Sequence, residues 1–340
     1  MSCIYKIIIP FDTQGFLLDA QVLNRAFPSS KIYYSSHSVT LEKTPVNIFI
    51  DRVQHQSVLS TADINILSAN HEILLKKKDY AWQIGFMKKL DYVLCKTKYG
   101  KKIIKNLKKK YNLKFEIYYI GHTTIFPKKN IHKRDYHTIL YLAGAHQFKN
   151  TDAVIKCWLK YDNLPNIIIG CYENCIKTQL EQYITKEEYE KITTKNNVKF
   201  ISNKVDYNDV VIMKYYYAIH LCPSMQEGFG HYINEGRITK SCVITTDLPP
   251  MNELIDNHSG ILINCDAVIP KDNGAEICII EPNTLAKIIQ EVMILPESVI
   301  NDYGLKAYHK YILDKKFFID RSKKFNHLIQ KKLNLDKLFL

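Results

Sequence analysis

The chain has 340 residues, 46% hydrophobic and 24% charged, an ordinary folded composition in a length that favours two domains over one core. No run of 18 or more apolar residues occurs, which excludes a helix built to span a bilayer, and MSCIYKIIIPFDTQG, interrupted at Pro10 and Asp12, reads as a first strand rather than a signal peptide. The net charge of +13 is uneven: residues 1–133 hold 22 Lys/Arg against 9 Asp/Glu, while residues 134–340 hold 25 of each.

In chain order, short β-branched or aromatic runs alternate with amphipathic segments. The first half predicts strands at 5–10, 31–35, 46–50, 64–68, 91–95 and 116–120, with helices at 15–26 and 97–111. The second half predicts strands at 138–143, 166–170, 198–201, 218–222, 242–246 and 260–264, with helices at 151–161, 177–194, 206–215 and 228–239. Continuous apolar strands alternating with helices imply parallel sheets covered on both faces. The turn-rich basic stretch FPKKNIHKRDYH, 126–137, separates the two series, so an α/β architecture of two doubly wound domains is expected. The boundaries that follow are 1–130, 131–310 and a C-terminal helical segment, 311–340.

Nine scattered cysteines, most of them in apolar runs, suit a reducing compartment, and the C-x3-C pair Cys171 and Cys175 reads as buried small hydrophobes rather than metal ligands. The charge excess concentrates in 76–133, where 17 basic residues face 3 acidic ones. On a helix, KKIIKNLKKK sets Ile103, Ile104, Leu107 and Tyr111 near one face and lysines around the rest. Those lysines are either a solvated face or an attractor for an anionic membrane, an acidic acceptor or nucleic acid. With no aromatics interleaved for base stacking, nucleic acid is the weaker of these.

Chemistry concentrates in LCPSMQEGFGHYINEG, residues 221–236. A strand, AIHLC, runs into a loop and then a helix, and ligands of open parallel sheets bind beyond the carboxyl ends of the strands. Gly228 and Gly230 allow close approach of the backbone, and the N–H groups opening the helix can receive a diphosphate. Glu227 falls in the loop and Glu235 further into the helix, on different faces, so each needs its own task. A carboxylate is a two-acceptor partner for vicinal hydroxyls, and one at each end of a diphosphate would suit a sugar and a ribose. The plainer alternative is a capping carboxylate and a surface charge.

The stretch CPSMQEGFGHYINEG resembles the E-x7-E pattern of retaining glycosyltransferases of family 4, with Gly236 where alanine is common. ITTDLPPMNELIDNHSGILI is similar to the segment that follows in that family, which places Glu253 and Gly260 on it. ILYLAGAHQFKNTDAVIKCW resembles the first strand and loop of the nucleotide-binding domain, where Lys149 falls on the phosphate-binding lysine. Asn150 stands there for a glycine, and His146 lies near a frequent arginine. FDTQGFLLDAQVL is a loose version of the glycine loop after the first strand, with Gly15 as its glycine, and His71 is either the contact that the first domain of this fold supplies to the donor sugar or a surface histidine.

The resemblance implies the GT-B fold: two facing Rossmann-like domains with a cleft between them. It implies transfer of a sugar from a nucleotide-diphosphate sugar, UDP or GDP, to a hydroxyl of a glycan, lipid-linked or other acceptor, with retention and without a metal. Lys149 and the backbone of Gly228, Phe229 and Gly230 would hold the diphosphate, Glu227 the sugar and Glu235 the ribose, with Glu227 and His71 at the reacting centre. DKKFFIDRSKKFNHLI, 314–329, resembles the C-terminal helix that returns to the first domain. A cytoplasmic protein, peripheral at a membrane surface, is the expected setting. A nucleotide-sugar epimerase of the same fold, a non-catalytic nucleic-acid or membrane-binding module, and a sugar transferase acting on DNA are the other readings.

Overall fold

The computed structural model describes residues 3–10, 13–35, 43–52, 56–72, 74, 80–144, 146–179, 181 and 183–338. They form two compact units, Met1–Ile125 with Lys271–Ala275 and Leu313–Leu340, and Phe126–Pro270 with Glu276–Ile312.

The first unit is a six-stranded, all-parallel sheet in the order β2-β1-β3-β4-β5-β6. Its strands are β1 (Tyr5–Ile9), β2 (Ser30–Tyr34), β3 (Thr44–Ile50), β4 (Ala62–Ala69), β5 (Tyr92–Cys95) and β6 (Glu116–Tyr119). The strands are continuous apolar runs because both faces are covered, and the two-residue period sorts them. Tyr5, Ile7, Ile9, Ile48, Ile50 and Ile66 enter one core with Phe27, Phe318 and Phe325, while Ile8, Phe49, Leu67 and Val93 enter another. That second core receives Ile103, Ile104 and Leu107, the apolar stripe of the lysine-rich helix α3 (Lys98–Lys110). Thr97 caps α3 by accepting from Gly100 N at 2.9 Å. The other helices here are α1 (Gln14–Ala26) and α2 (Tyr80–Met87).

The second unit is also a six-stranded parallel sheet, in the order β12-β11-β10-β7-β8-β9. Its strands are β7 (Asp135–Gly144), β8 (Asn166–Cys171), β9 (Val198–Ile201), β10 (Tyr217–Cys222), β11 (Cys242–Thr246) and β12 (Ile261–Ile263). The chain winds outward from β7 to β9, then restarts beside β7 at β10 and winds the other way. The switch point of this Rossmann order therefore lies between β7 and β10. Helices α4 (Thr151–Lys160), α5 (Glu173–Gln179), α6 (Lys186–Thr194), α7 (Tyr207–Tyr216), α8 (His231–Ile238), α9 (Met251–Leu254) and α10 (Pro282–Met293) cover it.

All twelve predicted strands are present, and the departures are local. A hairpin, β13 (Ala267–Pro270) with β14 (Glu276–Ile279), was not predicted. Its antiparallel pairing brings Cys265 and Cys278 to a Cα separation of 5.4 Å, and they form a disulfide, against the expectation of a fully reduced set. Cys171 and Cys175 are buried as free thiols. The helix predicted over 177–194 is two, α5 and α6, because Thr185 and Glu188 make a capping box that starts α6. The last helix, α11, is longer than 314–329 and runs from Glu297 to Leu338. Among the described residues no helix is long and apolar enough to cross a membrane.

Candidate nucleotide-sugar site

The carboxyl ends of β7 and β10, neighbours only because of the switch in winding, bring together residues 78 apart in sequence. After β7 the chain turns through Gly144, at φ 63°, into a 3-10 turn, Gln147–Lys149, capped by His146, whose Nδ1 accepts from Phe148 N. Asn150 then adopts the left-handed conformation, φ 65°. Asparagine is among the few residues with a side chain that visit that region readily, so it can stand at a position where the resemblance has glycine. His146 serves as a capping residue here, a different task from a phosphate-binding arginine.

The Lys149 ammonium pairs with Glu227 Oε1 and lies 3.8 Å from the centroid of the Tyr232 ring. Ser224 Oγ donates to the same Glu227 oxygen at 2.5 Å and is itself hydrogen-bonded to the Tyr232 hydroxyl. Burial, reinforced by Cys222 and Glu227, pushes the Tyr232 phenol well above its usual range, so it stays a neutral hydroxyl. Among the described residues no hydrogen bond engages Glu227 Oε2, which leaves its lone pairs for a ligand hydroxyl. The loop is held from several sides: Met225 N donates to Phe148 O, Cys278 N to Met225 O, and Thr246 Oγ1 to Ser224 O.

Gly230, at φ 89°, is the N-cap of α8, and a Cβ there would also come within 3.1 Å of Leu254 Cδ1. Because of this turn the helix starts at His231, not at 228. Glu235 therefore sits little more than one turn in, where its Oε2 pairs with Lys214 Nζ of α7 at 2.6 Å. Gly236 has a steric cause: a Cβ would lie 2.7 Å from Val243 Cγ2 and 3.0 Å from His220 Nδ1. His220 is buried in β10, and burial, with Lys214 and Arg134 nearby, keeps it neutral by holding its pKa well below the usual value.

The second unit thus gathers Lys149, Glu227, Gly228, Gly230 and Glu235. Phe229 turns inward, 6% exposed, into the hydrophobic core, so only its backbone is placed to meet a ligand. Gly15 and His71 belong to the first unit. Gly15 is an exposed residue in the first turn of α1 rather than part of a loop. His71, just after β4, is 2% exposed, and burial, then Lys96 and Lys271, depress its imidazole to about 3. Ser224, Tyr232 and Lys214 were not predicted. They lie in or near the quoted stretch, but their contacts depend on how the loop and α7 fold.

Two parallel-sheet Rossmann-like units are the architecture of the GT-B glycosyltransferases. Residues 122–270, which contain every site residue of the second unit, match the family model described as Glycosyl transferases group 1. No curated protein matches the sequence. Among solved structures, the chain is similar to the pneumococcal O-GlcNAc transferase GtfA in complex with UDP and GlcNAc, at 14% identity and TM-score 0.58, over 84% of this chain and 57% of that one. It spans little more than half of that protein's length. It is likewise similar to the trehalose-6-phosphate synthase OtsA, at 8% identity and TM-score 0.60, over 84% and 72% of the two chains. A sucrose-phosphate synthase from Thermosynechococcus elongatus matches at 10% identity and TM-score 0.59, over 85% and 74%. At these identities the likeness concerns the fold.

Proposed function

We propose that this protein is a retaining glycosyltransferase of the family 4 type, moving a hexose from a nucleotide-diphosphate sugar to an acceptor hydroxyl. The observation that carries the reading is the Lys149–Glu227–Ser224–Tyr232 cluster at the β7/β10 switch point, beside the Gly230-capped start of α8. An ammonium and a helix N-terminus are what a diphosphate needs. A carboxylate with one oxygen anchored and the other free can hold sugar hydroxyls.

In this reading Lys149 and the backbone of Gly228–Gly230 bind the diphosphate. Glu227 Oε2 grips the sugar, Glu235 reaches the ribose while keeping Lys214 as counter-ion, and His71, neutral at physiological pH, meets the donor sugar. The bond from the anomeric carbon to the diphosphate oxygen breaks, the acceptor oxygen bonds to that carbon on the same face, and the acceptor proton passes to the departing diphosphate. No side chain need act as a base, so catalysis rests on positioning and on stabilising charge that grows on the diphosphate, by Lys149 above all. The ammonium has three donors, so it can hold Glu227 and phosphate together.

UDP is the donor nucleotide we favour, since GtfA was solved with UDP and a trehalose-6-phosphate structure with UDP-2-fluoro glucose. GDP is the competitor. We further assign acceptor binding to the basic first unit, with the C-terminal helical residues 311–340 as part of it, in a cytoplasmic enzyme attracted to anionic membrane. The test is a thermal-shift screen against UDP, GDP, ADP and their sugars, because a ligand of the folded state raises the melting temperature. NMR of the product of any active donor then reports its anomeric configuration. Absence of a shift with every nucleotide, or inversion in the product, refutes the corresponding part of the proposal.

A further inference from the structure

The β13–β14 hairpin has no core of its own: all four residues of β13 are exposed, Val268 and Ile269 among them. Its arms are joined by ladder pairing and closed at the base by the Cys265–Cys278 disulfide. Its turn is the opposite. Lys271–Ala275 belongs to the first unit, and Asn273 and Ala275 are 5% and 1% exposed. Asn273 Oδ1 accepts from Ala275 N at 3.0 Å, which orients the amide. Its Nδ2 then donates to two carbonyls about two hundred residues away in sequence, His71 O at 3.0 Å and Leu74 O at 2.8 Å. Lys271 Nζ donates to Glu72 O. Two side chains of one turn thus hold three carbonyls of the segment after β4.

That segment carries His71, and the imidazole is closely confined. It meets the Tyr99 ring edge to face at 5.2 Å, and a Cβ on Gly100 would lie 3.0 Å from its Nδ1. A short loop whose carbonyls lack ladder partners fixes a side chain only if something else fixes its backbone. Buried amide donors supply that here, since an unmade bond would leave both amide and carbonyls desolvated.

We propose that the β13–β14 turn is a positioning element: Asn273, with Lys271, holds the carbonyls of His71, Glu72 and Leu74 so that His71 keeps the one orientation sugar transfer requires. The proposal rests on the glycosyltransferase reading and on the part given there to His71. Neither residue needs to touch substrate.

The experiment uses the full chain with labelled histidine, the His71 ring signal being assigned by its loss in His71→Ala. Asn273→Asp keeps size and shape but has no donor for the carbonyls; Lys271→Met keeps length without the ammonium. Both should move or broaden the His71 signal and lower kcat ten- to a hundredfold with UDP affinity unchanged. Asn273→Asp placed in His71→Ala should slow that variant no further. An unmoved His71 signal in a folded Asn273→Asp protein overturns the positioning role whatever the turnover, as do additive losses in the double variant. If the wild type neither transfers nor hydrolyses any nucleotide sugar, the glycosyltransferase reading fails, and the histidine signal still decides whether the turn holds His71.

Discussion

Replacing Glu235 separates its two tasks, because the structure gives it one that the nucleotide does not share. Its carboxylate is 2.6 Å from Lys214 Nζ, with the lysine side chain 6% and the glutamate 17% exposed. Glu235→Ala strips the counter-ion from a largely buried ammonium, at about 3–5 kcal/mol for a fully buried pair and toward the lower figure here. At roughly 2–4 °C per kcal/mol for a unit of this size, the unliganded melting temperature should fall by about 6–12 °C. Glu235→Gln keeps a carbonyl acceptor against the ammonium and should cost less than half of that. For nucleotide binding, a charge-assisted hydrogen bond to ribose is worth about 1.5–3 kcal/mol and a neutral one about 0.5–1.5. Calorimetry with UDP should therefore show affinity losses of roughly 10- to 150-fold for alanine and a few-fold for glutamine. Wild-type UDP affinity in a folded Glu235→Ala protein would reduce Glu235 to the counter-ion of Lys214 and remove it from the site.

Glu227→Gln should lower kcat by a factor on the order of 10²–10³ with a small change in UDP affinity, because its contact is with the sugar and strengthens in the transition state; steady-state kinetics with the matched donor decides this. Changing Lys102, Lys105 and Lys109 of α3 to glutamine should reduce sedimentation with anionic liposomes at low salt and leave UDP binding intact; the set avoids Lys108, which donates to Phe115 O, and Lys110, whose ammonium lies over the Tyr111 ring. Binding that is absent, or indifferent to salt and to these changes, makes the cluster a solvated face. The His71 pKa lies at about 3 when folded and near 6.5 when unfolded, so the unfolded chain binds the extra proton first: stability held above pH ~6.5 is lost as pH falls toward 3, and His71→Gln should flatten that loss in acid denaturation curves. Burial raises Asp51 to about 6, the opposite sign, so its contribution is lost as pH rises from ~4 through 6, and Asp51→Asn should raise the melting temperature at pH 7.5 but not at pH 4.

Strands were legible because a parallel sheet covered on both faces demands unbroken apolar runs, and runs such as YKIII and NIIIG have no helical alternative at that length. The hairpin at 267–279 escaped because its outer strand enters no core: all four residues of β13 are exposed, so AVIP carries no burial pattern to read. The long last helix hid for another reason. Its buried positions run Ile300, Gly304, Ala307, Tyr311, Phe318, Ser322, Phe325 and Ile329, a regular alternation of three, four and seven residues. Glycine, alanine and serine on that stripe erase the hydrophobic signal while keeping the geometry. At Gly304 the cause is visible, since a Cβ would fall 2.1 Å from Lys240 O.

The site divides along the same line. Spacing names Glu227 and Glu235 but not their partners, because partners are set by which strand ends adjoin. Lys149 reaches Glu227 only because β10 returns to the side of β7, and Lys214 reaches Glu235 only because α7 runs into β10 beside α8. Two departures from the family pattern also resolve in three dimensions. Asn150 adopts the left-handed conformation that glycine takes readily, and Gly236 makes room for His220. The second predicts that Gly236→Ala, harmless where the strand behind is small, forces β10 or α8 to shift here and moves Glu235 with it. Restoring the commoner residue should therefore weaken UDP binding, and His220→Ala in the same chain should recover part of it. Calorimetry that finds Gly236→Ala binding as tightly as the wild type would show that the helix accommodates the methyl without moving its carboxylate.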